Sequence, residues 1–218
     1  MAGHATCATC GASFEPDPAL TARYPGWTPR DCPSCFRAAR RGTRSGRASR
    51  PSGRTAGEGQ RTLAEVAATP ASGPDDGLFT DGACTPNPGP GGWGAVYVVD
   101  GEVVAEDRGH EPGITTNNRM ELTAILRGIE LIPDGVPTTV WSDSNLAVRT
   151  INEWAAGWER NGWKRKRGPV ENLDLVKPLY EAMRARPELE LRWIKAHVGH
   201  RWNEYADALA TAWARDQV

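Results

Sequence analysis

Residues 78–109 decide the fold, and they read LFTDGAC (78–84), TPNPGPGG (85–92), WGAVYVV (93–99), DG (100–101) and EVVAEDRG (102–109). The first and third of these runs predict two strands that are separated by a Pro/Gly loop. Asp100-Gly101 between two apolar runs is a strong local signal for a hairpin turn, so a third strand should follow it. The stretch therefore predicts a meander of three antiparallel strands.

Helical and extended patterns alternate after this meander. Apolar residues at 122, 125, 126 and 129 have the spacing of one helix face, which predicts a helix over 118–132. The later patterns predict a strand at 138–142, helical segments to about 158, a helix at 170–186, a strand at 190–195 and a helix at 203–215. This order of elements predicts an α/β fold, a five-stranded mixed sheet flanked by helices.

Four acidic residues fall on core-facing positions of four separate predicted elements: Asp81, Glu121, Asp143 and Asp207. Asp81 lies inside an apolar strand, where an ionised carboxylate is rarely tolerated unless it is paired or binds a metal. Taken singly, each acid has another explanation, as a turn residue, a helix cap or the partner of an arginine. Converging carboxylates repel one another, however, and hard divalent cations such as Mg²⁺ or Mn²⁺ relieve that repulsion. We therefore predict a metal site built from all four.

The first 75 residues differ from the rest of the chain. Four cysteines form two CxxC pairs, Cys7/Cys10 and Cys32/Cys35, with the spacing of a structural tetrahedral Zn²⁺ site. Residues 37–75 are rich in Arg, Gly, Ser and Pro and lack periodicity, apart from a short transient helix at 63–68. These features predict a zinc-binding module at 1–36, a disordered basic linker at 37–75 and the α/β domain at 76–218.

Charge is divided unevenly along the chain. Residues 1–75 carry ten basic and six acidic residues, whereas residues 76–218 carry sixteen basic and twenty-one acidic ones. The basic region favours contact with nucleic acid, and protein docking through the zinc module is the alternative. The sequence has no apolar run long enough to span a membrane and no recognisable secretory signal, so we expect a cytoplasmic protein with reduced cysteines.

Four blocks of sequence carry a resemblance to a known family. They are TDGAC with NPGPGGWG (80–84, 87–94), TTNNRMEL (115–122), SDS (142–144), and KAHVGH with NEYAD (195–200, 203–207). In this order the blocks resemble bacterial ribonuclease HI, of the type 1 ribonuclease H family, over residues 78 to about 215. The N-terminal CxxC pairs depart from the single-domain bacterial pattern.

The resemblance implies a ribonuclease H-like fold and an enzyme that hydrolyses the RNA strand of an RNA–DNA hybrid, leaving 5′-phosphate and 3′-hydroxyl ends. It implies that the four acids bind two Mg²⁺ ions, with Mn²⁺ as a substitute, which generate the attacking hydroxide and stabilise the leaving oxygen. His197 is expected to shuttle protons or assist product release, with His200 of the same loop as the alternative. We expect a monomer without a membrane partner.

The resemblance also implies contacts with the hybrid. Asn87, Thr116 and Asn118 are expected to contact its backbone near a helix start, with helix capping as the alternative explanation. Choice of the RNA strand would come from contacts with 2′-hydroxyl groups. The segment WAAGWERNGWKRKRGP (154–169) resembles a basic protrusion that is expected to contact substrate through Trp154, Lys164, Arg165, Lys166 and Arg167. Self-packing of Trp158 and Trp163, and a merely solvated basic turn, are the alternatives.

Two other functions compete with this interpretation. One is another nuclease of the same fold, such as a junction resolvase or transposase core, which lacks the TTNNRMEL block and the basic protrusion. The other is a non-catalytic hybrid-binding adaptor, which the loss of any of the four carboxylates would favour. All four carboxylates are present.

Overall fold

The computed structural model describes residues 4–16, 32, 34–35, 63–67, 72–165 and 168–215. The chain divides into two compact units, Met1–Glu58 and Gly59–Val218. Most of the predicted basic linker lies outside the described residues, as do Lys166 and Arg167 of the protrusion. None of the described helices is long and apolar enough to cross a membrane.

The N-terminal unit contains a short hairpin, in which β1 (Ala5–Thr6) pairs antiparallel with β2 (Ser13–Phe14). The first CxxC pair lies in the turn between these strands. The Cys7 N–H donates to the Ala12 carbonyl, and the Gly11 N–H donates to the Cys7 carbonyl, both at 2.9 Å. The turn therefore holds Cys7 and Cys10 close together in the chain's first unit.

A five-stranded sheet forms the centre of the second unit, in the order β5-β4-β3-β6-β7. Its strands are β3 (Gly77–Cys84), β4 (Gly89–Val99), β5 (Glu102–Thr115), β6 (Thr138–Ser142) and β7 (Leu189–Trp193). Strands β3, β4 and β5 pair antiparallel, whereas β6 pairs parallel with both β3 and β7. The mixed five-stranded sheet that the sequence predicts is confirmed.

The three-stranded meander is longer than the sequence predicts. Asp100 and Gly101 both have positive φ, 53° and 72°, as a tight two-residue hairpin turn requires. However, β4 begins at Gly89 rather than at residue 93, and β5 continues to Thr115 rather than ending at 109. The added part of β4 consists of Gly and Pro, which give no alternation of polar and apolar side chains, so the pattern does not reveal it.

Helices accompany the sheet in the second unit. They are α1 (Leu63–Ala67), α2 (Asn117–Gly128), α3 (Asn145–Arg149), α4 (Ala155–Arg160), α5 (Leu173–Ala185), α6 (Arg201–Ala210) and α7 (Ala212–Arg215). A 3₁₀ turn at Ile129–Leu131 follows α2, and a π-helical turn at Thr150–Trp154 joins α3 to α4. The predicted last helix is therefore divided into α6 and α7.

Two glycines let helices approach the sheet closely from opposite faces. A Cβ on Gly82 would lie 2.2 Å from the backbone nitrogen of Glu121 in α2, and one on Gly94 would lie 2.4 Å from Cβ of Leu209 in α6. Asp81 pairs with Gly94 across β3 and β4, so it shares the face on which α6 packs. A larger residue at either glycine would push away a helix that carries one of the four acids.

The core of the second unit begins earlier in the chain than residue 76. Val66 of α1 is fully buried in an apolar cluster with Phe79, Val96, Trp202 and Leu209. This helix packs against α6. The sequence predicts only a transient helix within the linker at this point, because a single short apolar run does not reveal that a distant helix covers it.

We predict that Val66→Ala lowers the free energy of unfolding by about 2 kcal/mol, because a fully buried valine loses its packing and leaves a cavity. Urea denaturation of the full chain, followed by tryptophan fluorescence, measures this change. Ile114→Ala is the control, because Ile114 is 87% exposed and its truncation should cost less than about 0.5 kcal/mol. Equal effects of the two variants would contradict a structural role for α1.

Candidate active site

Asp81, within β3, and Asp143, directly after β6, lie at the same level of the sheet. Strands β3 and β6 run parallel, and their last paired residues are Thr80 and Ser142. Each aspartate follows its strand's paired residue by one position, so the two side chains lie side by side. This is the carboxyl end of β6, and ligands of α/β sheets commonly bind at such ends.

Glu121 reaches the same point from α2, whose first turns rest on Gly82 of β3. One carboxylate oxygen from each of Asp81, Glu121 and Asp143 lies within 4.8 Å of the others. Asp81 is buried, and the other two acids are half-buried. The structure thus brings together three of the four acids that the sequence analysis singles out.

Asp207 approaches this carboxylate cluster from α6. It is not one of the three residues within 4.8 Å of one another, but its charge and its side chain help to raise the pKa of Asp81. Asn203, one helical turn earlier, donates its side-chain N–H to Asp143 Oδ2 at 3.1 Å and ties α6 to the cluster. Asn203 is not among the predicted site residues, although its position four residues before Asp207 places both side chains on one helix face.

Burial and mutual repulsion raise the pKa values of two acids in the cluster. Burial is the main reason why the pKa of Asp81 lies well above its usual range, and the charges of Asp143 and Asp207 add to it. Burial also raises the pKa of Glu121, with further contributions from Asp81 and Asp143. The cluster therefore needs either bound protons or a compensating cation.

The carboxylate cluster fits a hard divalent cation. Oε2 of Glu121 is buried and has no hydrogen-bond partner within the described part of the chain. Carboxylate oxygens are the ligands that Mg²⁺ and Mn²⁺ prefer, and an ion of charge +2 offsets the repulsion between them. The residues present can thus hold a divalent metal ion.

His197 and His200 lie in the loop between β7 and α6. His197 is exposed and has a φ of 52°, a left-handed conformation that is uncommon for a residue with a side chain. His200 is half-buried at the N-cap of α6, where its carbonyl accepts the Glu204 N–H at 3.0 Å. The exposure of His197 favours it over His200 for contact with a substrate.

The residues predicted to contact the substrate backbone gather at the start of α2. Thr116 is the N-cap, and its Oγ1 accepts the Arg119 N–H at 3.3 Å. Asn87 Oδ1 accepts the Asn117 N–H at 3.3 Å, and Asn118 is half-buried. Capping thus accounts for Thr116 and Asn87, and their contact with a phosphate stays a prediction.

The tryptophans of the protrusion pack within the protein. The rings of Trp154 and Trp158 lie 6.1 Å apart, and the Arg149 guanidinium lies 4.8 Å from the centre of the Trp154 ring. Trp163 packs edge-on against Tyr180 of α5, with ring centres 5.9 Å apart. Contact of Trp154 with substrate stays a prediction, because all three rings are half-buried against protein neighbours.

Two residues of the basic run, Lys164 and Arg165, lie within the described part of the chain, and both are exposed. The Arg165 guanidinium donates to Glu171 at 2.7 Å and to the Pro169 carbonyl at 2.6 Å. Glu171 therefore offsets part of the positive charge of this run. Phosphate binding by the run stays a prediction.

The four predicted zinc ligands converge in the N-terminal unit. The Sγ atoms of Cys7, Cys10, Cys32 and Cys35 all lie within 4.8 Å of one another, and none of the four cysteines forms a disulfide. Hydrogen bonding, first to the backbone of Cys32, lowers the pKa of Cys7 to about 7, whereas hydrogen bonds with Cys10 and Cys32 raise the pKa of Cys35. This arrangement suits a tetrahedral metal ion bound by four thiolates.

Two features beside the site are not indicated by the sequence pattern. Arg119 of the TTNNRMEL block forms a two-pronged ion pair with Asp174, at 2.6 and 3.0 Å, which joins α2 to α5. Cys84, at the end of β3, is buried, and its thiol donates to the carbonyls of Pro86 and Gly89. Arg119 thus fixes α2 against α5, and Cys84 contacts the loop between β3 and β4; both regions lie next to the carboxylate cluster.

Fold and site together define an α/β protein that gathers carboxylates over the centre of a mixed sheet. The RNase H family profile matches residues 75–215. Ribonuclease HI of Caulobacter vibrioides is 48% identical over 134 residues, which cover 61% of this chain and 88% of that protein. Ribonuclease H of Mycolicibacterium gilvum is 47% identical over 135 residues, which cover 62% of this chain and 88% of that protein.

Solved structures of the same fold are also similar. LC9-RNase H1, a type 1 RNase H with the type 2 active-site motif, is 31% identical with a TM-score of 0.54, covering 67% of this chain and 76% of that one. The PFV RNase H domain is 22% identical with a TM-score of 0.53, covering 64% and 93%, and shows the fold alone. The chain belongs to the RNase H family and is an enzyme of the ribonuclease H class.

We predict that the metal-free protein becomes less stable as the pH rises. Asp81 and Glu121 have higher pKa values in the folded protein than in the unfolded chain, so they bind protons more tightly when folded. Their contribution to stability is complete below about pH 4 and is lost as the pH rises through their folded-state pKa values. Thermal unfolding in the presence of a chelator, at about pH 5 and about pH 8, measures this loss.

Asp81→Asn should weaken this pH dependence and raise the unfolding temperature at the higher pH, because it removes one buried charge. Asp134→Asn is the matched control, since its carboxyl group is fully exposed. Mg²⁺ should stabilise the parent chain at high pH more than the Asp81 variant. An unchanged pH dependence in Asp81→Asn would contradict the assigned role of repulsion.

Proposed function

We propose that this enzyme hydrolyses the RNA strand of RNA–DNA hybrids by two-metal catalysis and leaves 5′-phosphate and 3′-hydroxyl ends. The observation that carries the proposal is the convergence of Asp81, Glu121 and Asp143 within 4.8 Å, with Asp207 close enough to raise the pKa of Asp81. Ribonuclease H relatives at up to 48% identity support the same substrate class. Mg²⁺ is the proposed ion, with Mn²⁺ as a substitute.

The proposed role of the four acids is to hold divalent metal ions in place at the reaction site. Bound divalent ions would supply an activated water and stabilise charge on the leaving oxygen. Asp81 is the buried member of the cluster, and its carboxyl group interacts electrostatically with those of Glu121, Asp143 and Asp207. The Asn203 amide holds one oxygen of Asp143 and thereby orients the other for binding.

His197 is proposed to move a proton or assist product release from the exposed loop before α6. Its imidazole is accessible, whereas that of His200 packs within the protein. The start of α2, with Asn87, Thr116 and Asn118, is proposed to contact the substrate backbone. The RNA strand would be selected through its 2′-hydroxyl groups.

Binding of the hybrid is proposed to extend to the basic protrusion and to the N-terminal region. Trp154 and the run Lys164, Arg165, Lys166 and Arg167 are the proposed contacts of the protrusion, and Lys164 is exposed at its start. The N-terminal region carries ten arginines against six acids, which favours phosphate contact, while protein docking is the alternative. We propose that the enzyme acts as a monomer in the cytoplasm, where thiolates stay reduced for metal binding.

A labelled RNA–DNA hybrid, incubated with the chain and Mg²⁺, tests the proposed activity. We expect cleavage of the RNA strand, whereas duplex RNA and duplex DNA should stay intact. Asp81→Asn should lower kcat by at least about a thousandfold, because it removes a ligand from the centre of the site. Asp134→Asn, an exposed carboxyl group elsewhere, should keep the parent rate.

Three results would overturn this proposal. Cleavage of duplex DNA without cleavage of the hybrid would favour a resolvase or transposase type of nuclease. Tight hybrid binding without cleavage in any divalent metal would favour a non-catalytic adaptor. Retained hybrid cleavage by Asp81→Asn at millimolar Mg²⁺ would remove the carboxylate cluster from the reaction.

The four cysteines are proposed to bind one structural Zn²⁺ ion. Elemental analysis should find one zinc per parent chain and none in the Cys7→Ser, Cys10→Ser double variant, because two thiolates cannot complete the tetrahedron. Cys84→Ser is the control, since Cys84 lies outside the cluster and should keep the zinc. Equal zinc content in parent and double variant would contradict the assignment.

A further inference from the structure

The chain just before β3 packs against the loop that carries His197. We call this segment the N-terminal strap and define it as residues 63–67 and 72–76. It belongs to the same compact unit as the sheet, and all of it before residue 75 precedes the part of the chain that matches the RNase H family profile. Residues 63–67 and 72–74 of the strap are therefore features of this chain that the family match does not cover.

Three successive contacts join the strap to the loop and to the start of α6. The Ser72 hydroxyl donates to the carbonyl of Gly199. Gly73 lies against the His200 ring, because a Cβ built on it would be 2.1 Å from Nδ1. Asp75 accepts the indole N–H of Trp202 at 3.0 Å.

The strap is itself anchored at both ends. Val66 of α1 is fully buried against α6 and the sheet. At the other end the Asp76 carbonyl accepts the indole N–H of Trp141 at 3.3 Å, and its side chain accepts the Asp100 N–H. A segment fixed at both ends can hold the loop that it contacts.

The loop has a conformation that needs such support. His197 and Gly199 both have positive φ, at 52° and 88°, and residues 197–199 are exposed. A non-glycine residue in this conformation costs free energy, so neighbouring contacts must hold it in place. The strap supplies such contacts two and three residues after His197.

We propose that Ser72 and Gly73 are positioning residues, which hold the 197–200 loop so that His197 is presented to the substrate. This inference rests on the proposed function. The strap acts through His197 and does not itself touch the reacting atoms. Loosening it should therefore lower kcat and leave the KM for the hybrid nearly unchanged.

Gly73→Ala and Ser72→Ala in the full chain test this inference. We expect Gly73→Ala, whose methyl group must displace the His200 ring, to lower kcat on the order of tenfold, and Ser72→Ala to lower it less. Ser72→Thr, which keeps the hydroxyl, should restore the rate. Gly135→Ala is the matched control, because Gly135 has a similar φ of +74° but nothing within 4 Å of its Cβ position.

A double-mutant cycle with His197→Ala separates positioning from general destabilisation. In the His197→Ala background, Gly73→Ala should cause no further loss of kcat, because the group that the strap positions is absent. An equal loss in both backgrounds, or a parent-like kcat for Gly73→Ala, would overturn the inference.

Hydrogen exchange provides a readout that is independent of activity. Peptides that cover residues 195–202 should exchange faster in Ser72→Ala and Gly73→Ala than in the parent chain or Gly135→Ala. Unchanged exchange would overturn the inference even if the parent chain proved inactive on hybrids. Absence of hybrid cleavage by the parent chain, with faster exchange in the strap variants, would instead count against the proposed function alone.

Discussion

The constraint on which this structure depends is the repulsion between carboxyl groups that are held together at the centre of a sheet. Burial and neighbouring charges raise the pKa values of Asp81 and Glu121, so the cluster opposes folding whenever it is ionised and lacks a cation. The surrounding protein offsets this cost by packing. Gly82 and Gly94 allow α2 and α6 to lie directly on the strands, and these helices carry Glu121 and Asp207 into place.

The same packing extends into the part of the chain that precedes the family match. Val66 completes the apolar cluster under α6, and Asp75, the first residue of the matched part, accepts a hydrogen bond from Trp202 at the start of that helix. Asn203 follows directly and holds Asp143. A continuous path of contacts thus leads from the strap through α6 to the carboxylates, so the second unit of this chain begins before its recognisable domain does.

Much of this arrangement could be predicted from the sequence, because it depends on local patterns. The Asp100-Gly101 turn, the five strands and the acids on separate elements all leave a signal in spacing or in residue type. The contacts that hold these elements in place leave no such signal in the sequence. Val66 is one apolar residue in a polar region, and Asn203 is an ordinary polar residue of a helix, so their roles follow only from three-dimensional neighbours. The glycine-rich start of β4 cannot be predicted from the sequence pattern, because Gly and Pro give no alternation of polar and apolar side chains.

The central claim is that the carboxylate cluster exists to hold divalent metal. Crystals of the chain grown with Mn²⁺ test it most directly, because the anomalous signal of manganese locates each ion without reference to activity. We expect a strong peak bonded to oxygens of Asp81, Glu121 and Asp143, and its loss in crystals of Asp81→Asn. A peak bound elsewhere, or no peak at this cluster at millimolar Mn²⁺, would contradict it.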